Sequence, residues 1–139
     1  MKTIANCKPS EFLRQTNRLR KVVERWMKDT DIINIRKRIP TFTKVPPDAT
    51  QAEKEEINRG NEALKAEQAI KNMNAILDAA LEQYPDETLE ILALCCFVEP
   101  EEVDNYNVAD YLNAFAEILQ NGAVISFFTS LARLGQNAI

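Results

Sequence analysis

The stretch from Val108 to Leu134, VADYLNAFAEILQNGAVISFFTSLARL, decides the fold of this chain. Asn107 is a good N-cap for a helix from Val108 to about Gln120, and Asn121-Gly122 is a stop signal. A last helix is predicted from Ala123 to Leu134. Apolar residues recur at the three- and four-residue spacings of a helix face. The first of these two helices is expected to place four of them on its inner side: Leu112, Phe115, Ile118 and Leu119.

The same spacing recurs towards the N-terminus. A basic amphipathic helix is predicted from Pro9 to about Met27, and residues 29–31 read as a break. Residues 32–38 fit either a short second helix or an extended arm. Three prolines make residues 39–49 a loop or linker: Pro40, Pro46 and Pro47.

A capping box from Thr50 to Glu53 opens a long middle helix. Its first half is polar, and its second half, from Ala66, should be packed through a regular apolar face. Pro85 ends this helix, and Asp86 can cap the next one. Residues 89–98 are apolar on nearly all sides and predict a central core helix, and Gly135 is expected to terminate the last helix.

These patterns predict an all-α protein: a single helical domain, residues 1–139, of about five helices. A proline-containing linker and a long polar-to-amphipathic middle helix belong to it. Only three glycines are present, which argues against a turn-rich β fold. Residues 36–60 should be a mobile linker and frayed helix start, because they offer little apolar surface to bury.

The net charge of −4 conceals a strong asymmetry along the chain. Residues 1–50 hold 12 Lys and Arg against 5 Asp and Glu, whereas residues 51–139 hold 5 against 16. The basic half of one copy could pair with the acidic half of another, or the halves could neutralise each other within one monomer; the sequence leaves both open. Self-association of the first kind should weaken with salt.

Few residues in this chain could carry catalysis. Histidine is absent, and three glycines form no phosphate-binding loop of known spacing. The three cysteines contain no Cys-x-x-Cys motif, and Cys95 and Cys96 lie in an apolar run that indicates reduced, buried thiols. We therefore expect no enzyme, no cofactor and no metal site. No apolar run is long enough to span a membrane, and no secretory signal is recognised.

The C-terminal helix offers a candidate binding surface. Its adjacent aromatics, Phe127 and Phe128, lie about 100° apart on a helix, so one core layer cannot bury both rings. Either the core wraps this helix, or one ring faces a partner. The partner-binding hypothesis places a client on six residues, the last two of them flanking the surface from the first helix: Phe127, Phe128, Leu131, Leu134, Val23 and Trp26.

Several segments resemble a known family. The opening CKPSEFLRQTNRLR, Cys7 to Arg20, is similar to the start of tail assembly chaperones of long-tailed, siphovirus-type phages and prophages of Gram-positive bacteria. The ending resembles theirs too: an EPEEVD turn from Glu99 to Asp104, Tyr111-Leu112, then FFTSL from Phe127 to Leu131 and Leu134-Gly135. The resemblance covers most of the chain but includes no catalytic signature.

This resemblance implies a non-catalytic chaperone of tail assembly. Such proteins are all-helical, self-associate, and coat the long helical tape measure protein to keep it soluble until the tail tube protein polymerises around it. The resemblance further implies action in the host bacterial cytoplasm and absence from the mature virion. Many family members also exist as a longer frameshifted form, and the residues leave open whether this chain does.

Two other classes compete with the chaperone interpretation. A small phage or prophage regulator could bind nucleic acid through its basic N-terminal helix, aided by Arg36-Lys37-Arg38, although the chain is acidic overall, with a pI near 5.0. A structural tail or head-completion protein is the weaker alternative, and it should be found in purified virions.

Overall fold

The computed structural model describes residues 1–137, and every regular element in that range is helical. The all-α class is confirmed for this part of the chain. Its elements, in order, are α1 (Pro9–Thr30), α2 (Ile32–Arg36), α3 (Gln51–Asp78), a π-helical turn (Ala79–Gln83), α4 (Pro85–Cys95), a 3-10 turn (Pro100–Asn105), α5 (Val108–Gln120) and α6 (Gly122–Asn137). None of the helices described is long and apolar enough to cross a membrane.

The contacts divide the chain into two compact units. Unit 1 combines Met1–Trp26 with residues 86–137, and unit 2 comprises Met27–Pro85. The interpretation of the whole chain as one domain stays a prediction. Each unit is described by itself.

Unit 1 is built on one apolar core. Small and medium side chains of α4 lie at its centre, where Ala93 is fully buried and Leu94 is 2% exposed. The N-terminal segment, α1 and α5 complete it, with half-buried side chains of α6 packed against it. The other buried members of this core are Ile4, Leu19, Val22, Cys95, Cys96, Val98, Tyr111, Ala114 and Ile118. Within residues 89–98 the predicted burial is confirmed from Ala93 onward, whereas Leu89 is 43% exposed and the helix ends at Cys95 instead of Val98.

The predicted inner side of α5 is wrong at three of its four positions. Tyr111, Ala114 and Ile118 face the core, whereas three of the predicted residues lie on a neighbouring stripe of the helix and are exposed. Two apolar stripes lie side by side on this helix, and helical periodicity alone does not choose between them. The exposed residues are Leu112, Phe115 and Leu119.

The C-terminus of α4 ends in a tight hydrogen-bonded cap. Phe97 takes a left-handed conformation, φ 55°, and the N–H of Val98 donates to the carbonyl of Ala93 at 2.9 Å. The buried side chain of Gln15 on α1 donates through Nε2 to the carbonyl of Leu94 at 2.7 Å. Because a buried carbonyl needs a partner, this bond ties α1 to the end of α4.

Unit 2 contains the long helix α3. Thr50 caps it as predicted, since its hydroxyl accepts the N–H of Glu53 at 3.2 Å. The short-helix alternative for residues 32–38 is the one observed: α2 follows Asp31, which has a left-handed φ of 55°, and packs against α3. The segment 51–60 is regular helix. Whether residues 36–60 are mobile stays a prediction.

The prediction that the second half of the middle helix is packed through its apolar face is confirmed at Ala80 and wrong at four larger residues, while Ile76 and Tyr84 are half-buried. Ile70, Met73, Leu77 and Leu81 are each about half exposed, whereas Ala79 and Ala80 are buried. The burial at the end of this helix is thus carried by small side chains, and the larger apolar side chains remain exposed.

Three boundaries differ from expectation. Helix α1 continues to Thr30, into the break that was expected at residues 29–31. Pro85 begins α4, and Asp86 lies in its first turn instead of capping it. Proline suits the first helical position because its fixed φ is already helical and its missing N–H is not needed there. Gly135 does not terminate α6, which continues to Asn137, because this glycine has no positive φ and so makes no left-handed cap.

Candidate functional site

A groove of about 390 Å³ opens on unit 1 between α1 and α6. The α1 side supplies residues one and two turns apart, and the α6 side supplies Phe128 and Leu131. The groove is lined by Thr16, Leu19, Arg20, Val23, Glu24, Phe128 and Leu131. Its floor is apolar, and its length along α1 suits a helix or extended segment with an apolar stripe.

Three aromatic rings lie beside this groove. The ring centroids of Phe127 and Phe128 are 5.5 Å apart, and Phe12 of α1 lies 5.7 Å from the first and 6.2 Å from the second. The edge-to-face arrangement is a favourable one for aromatic pairs. Phe128 packs against the core, whereas Phe127 is 40% exposed, so the adjacent aromatics divide between core and surface.

The six residues predicted to bind a partner fall into two groups. Val23, Phe128 and Leu131 meet around the groove. The other three do not line it. Phe127 contacts the aromatic cluster, Leu134 is 65% exposed further along α6, and Trp26 donates its indole N–H to the hydroxyl of Thr88 on α4 at 3.0 Å.

The groove also carries polar groups. Arg20 and Glu24 form an ion pair on its rim, 3.1 Å between nitrogen and oxygen. Within the described residues, the buried Oγ1 of Thr16 has no hydrogen-bond partner. A polar group of a bound chain could satisfy this hydroxyl, which otherwise carries a desolvation cost.

Basic residues of α1 pair with acidic residues inside unit 1. Arg18 makes two hydrogen bonds to Glu99, of 3.1 and 2.9 Å, and Arg25 bridges Glu87 and Glu90 at 3.0 and 2.8 Å. The hydrogen bonds from Arg18 lower the pKa of the Glu99 carboxyl, and those to Glu99 raise the pKa of Arg18. Part of the charge asymmetry along the sequence is thus neutralised within one monomer.

A second apolar surface lies on the outer side of α5, and three of its residues, Leu112, Phe115 and Leu119, were expected to face the core. Val108, Leu112, Phe115 and Leu119 follow one stripe and are 70%, 58%, 39% and 56% exposed. Contiguous exposed apolar residues often mark a protein–protein contact. The signal in the sequence was the presence of two parallel apolar stripes on one helix, more than one core layer can bury.

The cysteines have different environments. Cys95 and Cys96 are buried free thiols, and Cys7 is half-buried. Burial raises the pKa of Cys95 to about 12 and also raises the pKa of Cys96. Both buried thiols are therefore neutral and unreactive at ordinary pH. Within residues 1–137, no cluster of three or more His, Cys, Asp or Glu side chains is placed to hold a metal ion.

No protein-family model, curated protein or solved structure matches this chain.

Proposed function

We propose that this protein is a non-catalytic tail assembly chaperone that binds the tape measure protein of a long-tailed phage and keeps it soluble during tail assembly. The observation that carries the proposal is the open apolar groove between α1 and α6, with Val23, Phe128 and Leu131 around it. The family resemblance of Cys7–Arg20 and Phe127–Leu131 lies in the two helices that form this groove.

The chemistry of the groove fits such a client. A tape measure protein exposes apolar helix faces before assembly, and these faces aggregate unless they are covered. An apolar floor would cover one such face, while the Arg20–Glu24 pair on the rim stays in water. Many weak contacts along one long client would add up by avidity, and the tail tube protein could then displace them without nucleotide hydrolysis.

The proposal includes the setting of this activity. The chaperone acts in the host bacterial cytoplasm, self-associates along its client, and leaves before the virion is complete. Binding to nucleic acid through α1 is the alternative function. Arg18 and Arg25 already pair with carboxylates of unit 1, which leaves fewer cations on this helix for phosphate groups.

Co-expression tests the proposal. The chain would be produced with the long helical protein encoded beside it, and the soluble fraction of that protein would be measured with and without the chaperone. We expect its solubility to rise several-fold and the two proteins to co-purify. Unchanged solubility without co-purification would contradict the proposal, and so would recovery of the chain from washed virions.

A groove variant and a matched variant of α5 locate the binding surface. Leu131→Glu places a charge in the groove, and Leu112→Glu places one on the exposed stripe of α5; both leucines are about half exposed, so both variants should fold. Loss of the client with Leu131→Glu alone supports the groove. Loss of client binding with Leu112→Glu alone would show that the client binds the exposed stripe of α5 instead.

A further inference from the structure

In unit 2, an extended segment is held along α3 by asparagine side chains. Asn61 accepts the N–H of Thr43 at 2.9 Å and donates to the carbonyl of the same residue at 3.0 Å. Asn72 donates to the carbonyl of Arg38 at 3.0 Å, and Gln68 orients Asn72 through a 2.8 Å bond. The hydrogen bonds of Asn61 and Asn72 to the segment are thus made to its backbone atoms.

The spacing of the two asparagines matches an extended chain. Eleven helical residues separate Asn61 from Asn72 and rise about 16 Å. Five extended residues separate Arg38 from Thr43 and also span about 16 Å. The segment therefore runs antiparallel to α3, and the face of α3 that bears Asn61 and Asn72 is a docking track for an extended backbone.

The larger side chains of this segment are only partly buried. Ile39 is 76% exposed, Phe42 43% and Val45 40%, and an open space of about 500 Å³ lies between the segment and α3. Apart from α2, whose Ile35 is buried, the attachment thus combines this partial burial with three hydrogen bonds to exposed backbone. Such bonds contribute little net stability each.

Both ends of this region have hinge character. Asp31, the residue before α2, holds a left-handed φ of 55°, which is strained for a residue with a side chain. Pro46 and Pro47 lie in the connection to α3, where the N–H of Ala49 bonds back to the carbonyl of Pro46 at 3.1 Å. Short, stiff connections of this kind favour exchange of an element between copies.

We propose that residues 32–45, here called the arm, dock on the Asn61–Asn72 track of a second copy of this chain, so that copies associate by exchanging arms. The second copy is the occupant that the contacts favour, because its arm is chemically identical to the one already seated on the track. The hydrogen bonds are the same in both arrangements. Release of the backbone strain at Asp31 would therefore favour exchange. The inference concerns assembly of the chain with itself and needs no client.

Isotope-mixed cross-linking tests the exchange. Chains with Phe42 replaced by p-benzoylphenylalanine would be prepared with ¹⁴N and with ¹⁵N, unfolded together, refolded and irradiated without any client. We expect peptides that join position 42 to residues 59–71 in light–heavy pairs, in a fraction that rises with protein concentration. If light–light and heavy–heavy pairs alone are found across the concentration range, the arm stays in its own chain and the proposal is wrong.

Variants of the track provide a matched control. Asn61→Ala with Asn72→Ala should lower the total yield of peptides that join position 42 to α3 about tenfold, light–heavy pairs included, because the three hydrogen bonds that hold the arm on the track of either copy are lost. Asn74→Ala, an exposed asparagine of the same helix, should leave that yield unchanged. Equal yields in the two variants would overturn the role of the track, and circular dichroism would verify that both variants keep their helix content.

Shortening the hinge gives an independent test. Deletion of residues 46–49 leaves four Cα steps between Thr43 and Gln51, a reach of about 14 Å at most. The ten helical residues from Gln51 to Asn61 rise about 15 Å, so Thr43 reaches Asn61 of its own chain only if the shortened connection is fully extended. We expect sedimentation to show more dimer or longer oligomer in the deletion variant, and reversal by Asn61→Ala. A monomeric deletion variant would contradict the exchange.

Discussion

Truncation of Leu131 separates binding from folding more cleanly than truncation of either aromatic neighbour. Complete burial makes a Leu→Ala substitution cost about 2–5 kcal/mol. Leu131 keeps 47% of its surface exposed to water, so its truncation should remove only about half of that stabilisation. We expect Leu131→Ala to lower the free energy of unfolding by about 1–2 kcal/mol, with a melting temperature lower by about 4–8 °C.

The same substitution removes part of the α6 wall of the groove. If the client covers Leu131, its loss should weaken binding by about tenfold, the usual scale for truncating one buried anchor. Leu89→Ala is the matched control: Leu89 is 43% exposed on α4 and does not line the groove. It should cost similar stability and leave client binding unchanged.

Phe128→Ala provides the opposite case. Its ring packs against the core as well as lining the groove, so the variant should lose about 3 kcal/mol and melt much earlier. The fluorescence of Trp26, the single tryptophan, would follow unfolding of unit 1, and the soluble yield of co-expressed tape measure protein would follow binding. If Leu131→Ala and Leu89→Ala retain the client equally, the reasoning about the groove fails.

Four further predictions test the packing within each unit. Gln15→Ala should cost about 1–3 kcal/mol, because it removes the 2.7 Å hydrogen bond that its side chain donates at the end of α4; urea denaturation measures this, and a cost below about 0.5 kcal/mol would contradict it. A thiol reagent at pH 8 should label Cys7 before Cys95. The folded Cys95 thiol keeps its proton to about pH 12 while an unfolded thiol loses it near 9.0, so the stability should fall as the pH rises above 9.0; constant stability up to pH 11 would argue against this. Trypsin should cleave at Lys44 before Arg38, whose carbonyl is bound to α3, and the reverse order would count against that attachment.

Local sequence signals determined the positions of most helices. Pro9, Thr50 and Asn107 each lie at or next to the first residue of a helix, as the capping and proline patterns indicate. These signals act within one turn of the backbone, so the tertiary structure does not change them. Where two signals conflicted, the local context decided, as with Pro85, which begins α4 in place of a cap by Asp86.

The choice of the buried face came from the tertiary structure. A period of 3.6 residues gives α5 two neighbouring apolar stripes, and only the neighbouring elements of unit 1 select Tyr111, Ala114 and Ile118 over Leu112 and Phe115. The same uncertainty applied to α3. Because two stripes of α5 are apolar, the outer one was expected to belong to the core.

The candidate site divides in the same way. The sequence identified Val23, Phe128 and Leu131 as apolar residues of two amphipathic helices, and the packing of α1 against α6 brings them around one groove. It expected Trp26 to flank the same surface, whereas the indole bonds to Thr88, which lies 62 positions away in the chain. The asparagine track on α3 depends likewise on residues 34 and 18 positions apart. Local spacing determines helices and their apolar stripes, whereas contacts between distant segments form only when the whole chain packs.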